Sequence, residues 1–198
     1  MEKASPHRAG TPTTPTTIPP AVISTAVHAV SRAASISLAL GLALAVFLVD
    51  QGLKRLVEGT MRLGESAPLI PQVLSLTHTR NEGGAFGILG GQSGVLLLGS
   101  AVALAFVLWM LFKGTPTRAT ALGCGLILGG AAGNLLDRLS AGEVTDFLDL
   151  DFWPLQQWPV FNAADVAIVL GAATLLLASL RSEKSDQQST AGYRQRAE

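Results

Sequence analysis

Cysteine is almost missing from this 198-residue chain: Cys124 stands alone, which excludes an intrachain disulfide and any multi-cysteine metal site. Lying inside an apolar segment, it reads as a small core residue. Charge is scarce too, with Asp, Glu, Lys and Arg only 14% of residues and a formal net charge of +0. No long basic run occurs, so a nucleic-acid partner is not expected. The histidines are His7, His28 and His78, too scattered for a zinc-peptidase signature, and neither HExxH nor a Cys/His cluster is present. No metal and no cofactor are expected. A serine–histidine nucleophile pair fares no better, because His28 lies in the N-terminal extension and "HTRNEGG" around His78 offers no suitable serine.

Apolar side chains are abundant, at 48% of residues with a mean hydropathy of +0.42, too apolar for an ordinary soluble domain. Residues 1–32, rich in Thr, Pro, Ala and Ser, carry too little bulky apolar content to build a core. They are expected to be a disordered cytoplasmic extension, and 183–198 a similar tail. Between them, 33–182 forms one membrane domain. Its apolar runs are roughly Ala33–Val49, Val95–Phe112, Ala119–Leu136 and Ala163–Leu180. Each extends about 26 Å as helix, near the lower limit for crossing a bilayer. Lipid leaves no partner for an unpaired backbone group, so each run should be helical. The first is longer than the apolar region of a usual secretory signal and lacks a convincing small-residue cleavage site, so it reads as a retained span. The fold class expected is an all-α membrane protein, four transmembrane helices with a small extracytoplasmic β element around "VLSLTHTR".

Four spans put both termini on one side. Lys3, Arg8, Arg32, Lys113, Arg118, Arg181, Lys184, Arg194 and Arg196 fall there, against Lys54, Arg55, Arg62, Arg80 and Arg138 opposite. The bias places both tails in the cytoplasm and loops 50–94 and 137–162 outside. Most acids lie in those outer loops, so any chemistry belongs there.

The third run, "GCGLILGGAAGNLLDRL", repeats Gly125, Gly129, Gly133 and Asp137 on one helix face, with Gly130, Asn134 and Arg138 in the adjoining row. Small residues at this spacing favour close helix packing. Asp137 beside Arg138 reads more readily as an interfacial ion-pair network than as direct chemistry. In "DFLDLDF", an extended chain puts Asp146 on an apolar face with Leu148, Leu150 and Phe152, and sets Asp149 and Asp151 on the other as solvated acids. Asp165, three residues after Asn162, fits a capping box equally as well as it fits a functional acid at membrane depth. Two such carboxylates in a poorly hydrated site would share a proton and supply both an acid and a base. From the residues alone, a proton-relay transporter or a non-catalytic scaffold remain alternatives.

"DQGLK" (Asp50–Lys54), "NEGGAF" (Asn81–Phe86), "GAAGNLLDR" (Gly130–Arg138), "VTDF" (Val144–Phe147) and "FNAAD" (Phe161–Asp165) together resemble the successive motifs of the lipoprotein (type II) signal peptidases. The resemblance spans roughly residues 34–181. It implies a bacterial cytoplasmic-membrane aspartic endopeptidase that removes signal peptides from prolipoproteins, cutting before the diacylglyceryl-modified cysteine near the extracytoplasmic face. It makes Asp146 and Asp165 the catalytic pair. Asn81, Gly83, Asn134, Asp137, Arg138, Asn162 and Ala164 would line or brace the site, while Asp50 and Lys54 form a structural polar pair. The partners implied are lipid-modified prolipoproteins and membrane phospholipid, with the enzyme a monomer. The β-prone stretch Val73–Arg80 could clamp extended substrate by strand addition. Trp153 and Trp158 suit either an interfacial belt or substrate contact.

Overall fold

The computed structural model describes residues 20–82 and 93–195. Along the chain run α1 (Pro20–Thr60), β1 (Ser66–Ile70), β2 (Leu74–Asn81), α2 (Ser93–Lys113), α3 (Arg118–Ala141), β3 (Val144–Leu150) and α4 (Ala163–Gln195). Four helical stretches are long and apolar enough to cross a membrane: Ser31–Thr60, Gly94–Lys113, Arg118–Ala141 and Ala163–Arg181. They contain the four apolar runs, and a three-stranded antiparallel sheet accompanies them. The backbone of 20–32 and 183–195 is helical, continuous with α1 and α4, where composition alone suggests disorder. Once a helix is nucleated, each further residue adds a hydrogen bond for one residue fixed, and Pro20 stands at the first helical position, where its missing N–H costs nothing.

Helix α3 is central and packs against the other three. Its small residues make this possible. A Cβ on Gly129 would sit 2.5 Å from the Ala43 carbonyl oxygen of α1, and one on Gly125 2.7 Å from that of Ala39. In the adjoining row, a Cβ on Gly130 would run into the Ala164 carbonyl oxygen of α4. The first glycine row therefore meets α1 and the second meets α4. Against α2, Val107 and Leu111 join Ala39, Ala121, Cys124 and Leu128 in a buried apolar cluster, which places the lone cysteine in the core. Arg32 of α1 closes the far end of α2 by donating to the Phe112 carbonyl (2.5 Å).

The sheet has the order β1-β2-β3, pinned to the end of α1. Gly64, at φ +82°, lets the chain turn. Its N–H donates to the His78 carbonyl (2.8 Å), the His78 N–H donates to Glu65 (2.9 Å), and His78 Nδ1 donates to the Met61 carbonyl (3.0 Å). Because β2 is the middle strand, paired with β1 along Leu74–Thr77 and with β3 on its other edge, most of it has no edge to offer a substrate. The strand-addition clamp expected at Val73–Arg80 is therefore corrected for Leu74–Thr77, where both edges are taken. In β3 the expected alternation gives way at one end: Val144, Thr145, Asp146 and Phe147 are all buried, because the strand enters among the helix ends and is covered on both faces. Asp149 and Asp151 are not simply solvated acids but accept hydrogen bonds from Thr77 (2.9 Å) and Ser75 (2.5 Å) across the sheet.

Candidate active site

The end of α3 sets the geometry. Gly142, left-handed at φ +79°, caps the helix by donating to the Arg138 carbonyl (3.1 Å), and the chain turns at once into β3. Four residues on, Asp146 arrives fully inside, 2% exposed. After the loop, the Phe161 N–H and carbonyl pair with Leu148 of β3 (3.0 and 2.7 Å), which delivers Asn162 and the first turn of α4 to the same place.

Asn162 caps α4. Its Oδ1 accepts from the Asp165 N–H (2.9 Å), while Asp165 Oδ2 accepts from the Asn162 N–H (3.3 Å), a reciprocal capping box. The Asn162 amide faces the other way and donates to Asp146 Oδ1 (2.6 Å). One asparagine thus ties both acids. Asn81, the last residue of β2, donates to Asp146 Oδ2 (2.9 Å), and Asn134 of α3 donates to Asp165 Oδ1 (2.8 Å). Each of the four carboxylate oxygens therefore accepts a hydrogen bond from a protein N–H. Burial pushes the Asp146 carboxyl up to about 6, the charge of Asp165 adds to the rise, and the hydrogen bonds from Asn81 and Asn162 and the charge of Lys54 oppose it.

Asp146 and Asp165 both line a pocket of about 440 Å³, within the range of small-ligand sites. Asn81, Asn134 and Arg138 supply its other polar walls, and Val166, Val169 and Leu170 of α4 an apolar one. These three are exposed on the bundle surface, so the pocket adjoins a face that lipid would cover. Trp158 lines it and Trp153, 82% exposed, does not.

Beneath the acids lies a buried polar cluster. Lys54 contacts Asp50 Oδ2 and Asp137 Oδ2, each at 2.7 Å, and donates to Asn134 Oδ1 (3.0 Å). Asp137 therefore pairs with Lys54 rather than with its neighbour Arg138, which donates to the Asn134 carbonyl (3.3 Å) and faces the pocket. Asp50 Oδ1 accepts the Ala164 N–H (2.9 Å), which gives Ala164 its place: small enough to lie under α3, with its N–H held from α1. Gly83 lies outside the described residues. Gln51, not singled out in the sequence, donates to Asp137 Oδ1 (2.8 Å). Its place inside "DQGLK" is the one signal that could have marked it. The apolar pocket wall was not singled out, because the first turns of α4 are apolar on every face apart from Asp165. Among the described residues no group of three or more His, Cys, Asp or Glu could hold a metal ion.

Comparison with known proteins places the chain's sequence and fold. The signal peptidase (SPase) II family model matches residues 42–181. A lipoprotein signal peptidase of Halothermothrix orenii is 43% identical over 141 residues, covering 71% of this chain and 94% of its own. One from Halalkalibacterium halodurans is 42% identical over 143 residues, with 72% and 91% covered. Two solved bacterial membrane enzyme structures superpose with TM-scores of 0.69 and 0.67 at 29% and 30% identity, covering 76% and 73% of this chain and 92% and 94% of theirs.

Proposed function

Because this chain belongs to the signal peptidase II family, a family of aspartic peptidases, we propose that Asp146 and Asp165 are the pair with which it removes signal peptides from lipoproteins. The chain is a bacterial membrane peptidase, and family membership removes the transporter and scaffold alternatives. The observation that carries the assignment to these two acids is their common setting: a buried and a half-buried carboxylate on one pocket wall, bridged by Asn162.

Two carboxylates in so dry a setting do not both ionise cheaply, and one proton between them creates an acid and a base. The ionised member takes a proton from a water whose oxygen attacks the scissile carbonyl carbon. The protonated member donates to the carbonyl oxygen, and a proton passes to the leaving amine as the C–N bond breaks. The amides of Asn81, Asn134 and Asn162 hold the two side chains in place throughout. The substrate is a diacylglyceryl-modified prolipoprotein cut just before the lipidated cysteine. Its acyl chains are held in the bilayer by about 0.8 kcal/mol per buried CH₂, so the bond must be cut where the lipid already lies. The apolar wall of Val166, Val169 and Leu170, exposed beside the acids, suits that lipid. By the balance of positive charge between loops, the termini are cytoplasmic and the pocket faces the extracytoplasmic side.

The test is cleavage of a diacylated prolipoprotein by purified enzyme. Asp146→Asn and Asp165→Asn should each abolish turnover while circular dichroism and thermal unfolding show an intact fold. Near-normal turnover by either would remove that residue from the mechanism.

A further inference from the structure

We infer that Lys54 is a positioning residue for the peptidase site, its ammonium setting through Asn134 and Asp50 how Asp165 is presented. This rests on the reading of Asp146 and Asp165 as the reacting pair. Lys54 touches neither acid, and an i, i+4 ion pair with Asp50 alone would be only a local tie within α1. The wider geometry gives it more to do.

An ammonium has three protons and no acceptor. Lys54 is 2% exposed; it donates to Asn134 Oδ1 and is held as an ion pair between Asp50 Oδ2 and Asp137 Oδ2, a donor with no acceptor to offer. The atom of Asn134 that faces Lys54 must therefore be its oxygen. Asn162 Nδ2 donates to the same oxygen (3.1 Å) and reinforces the choice. With Oδ1 so held, Asn134 Nδ2 is left pointing at Asp165 Oδ1, to which it donates at 2.8 Å. Turned over, the same amide would set an oxygen against a carboxylate oxygen and an NH₂ against an ammonium. Lys54 selects one of the two orientations, and that choice makes Asn134 a permanent donor to Asp165.

A second route reaches the backbone. Lys54 holds Asp50 Oδ2, and Asp50 Oδ1 accepts the N–H of Ala164, one residue before Asp165. This fixes the first turn of α4 from outside the helix. Gly133 leaves room for it, since a Cβ there would stand 2.5 Å from Asp50 Oδ2. The side chain of Asp165 is set through Asn134 and its main chain through Asp50, with one cation at the root of both.

Removing Lys54 alone would leave two buried carboxylates without a counter-charge, which is strongly destabilising by itself. The decisive enzyme is therefore Asp50→Asn/Lys54→Met/Asp137→Asn, which removes all three charges and nearly keeps the volumes. Its kcat and KM on a diacylated prolipoprotein, and its thermal unfolding, are measured beside wild type, Asp146→Asn and Asp165→Asn. Positioning predicts a folded triple variant with KM within about threefold of wild type and kcat lower by about 100-fold, the scale expected when a reacting group is misplaced by roughly 1 Å. A folded triple variant with kcat within threefold of wild type would overturn the inference. So would loss of the folded state, which would show the cluster to be the tie that holds the bundle together. If Asp146→Asn or Asp165→Asn itself cleaves normally, the assignment of that acid to the reacting pair fails instead, and the two failures are distinguishable.

Discussion

At the residue scale, Asp165 shows that one acid can cap a helix and still face a pocket, so capping does not argue against the proposed chemistry. One oxygen closes the capping box with Asn162 and the other takes the Asn134 amide at the pocket. Both roles need a short acid at the third helical position, so the sequence pattern could not separate them. Asp146 has a different cost. Its carboxyl is pushed up to about 6, against about 3.9 in an unfolded chain, so as pH rises from about 4 to about 6 the unfolded state ionises while the folded state still holds the proton. Stability contributed at this site is full below pH 4 and falls as pH climbs through 6. Asp146→Asn, which has no proton to lose, should therefore gain thermal stability relative to wild type as pH is raised from 4 to 7, even as it loses activity. Unfolding temperatures of the two proteins across that range would check it. A difference that does not move with pH would mean that Asp146 is not a buried, proton-binding carboxyl. If this proton is needed for turnover, kcat/KM, which reports the free enzyme, should decline on the alkaline side with an apparent pKa of about 6.

At the element scale, α3 carries the fold because its two glycine rows bring α1 and α4 close enough for side chains of both to meet over Asn134. Gly130→Ala should expose this. Its new methyl would meet the Ala164 carbonyl oxygen and lie 2.9 Å from Ile168 Cγ1, forcing the first turn of α4 outward. A loss of about 1–3 kcal/mol is expected from such overpacking, and because that turn holds Asp165, turnover should fall with it. Gly99→Ala in α2, with nothing within 4 Å of the added carbon, should leave both unchanged. Thermal unfolding and cleavage rates of the two variants decide it. The rows themselves were legible, since a four-residue repeat of glycine has few meanings in an apolar helix. Which row met which helix was not, because nothing local to α3 names its neighbours. The sheet was legible as β-prone sequence, but the central place of β2 follows from β3, some 70 residues later, closing its second edge. For the same reason Lys54 read as half of an ion pair with Asp50: its other contacts come from residues 80 or more positions away.

For the whole molecule, the pocket, the sheet and the polar cluster all gather where α1 and α3 end and α4 begins, while Arg32, Lys113 and Arg181 mark the opposite end of the helices. The asymmetry of Lys and Arg between loops supports the proposed orientation: basic residues on the cytoplasmic side resist transfer across the membrane, and the short connection 114–117 joins two spans beside Lys113 and Arg118. In the proposed orientation a substrate exported through the membrane, with its lipid still embedded, would meet the acids without crossing back. Cys124 is fully buried, so reporter cysteines can be placed one at a time with little background. Gln156→Cys, in the exposed loop beside the pocket, should react with a membrane-impermeant maleimide added to intact spheroplasts. Thr115→Cys, in the short connection, should react only after the membrane is opened. The reverse pattern would put the pocket on the cytoplasmic side, where a lipoprotein precursor could be cut before export, and would undo the topological part of the proposal while leaving the chemistry of Asp146 and Asp165 untouched.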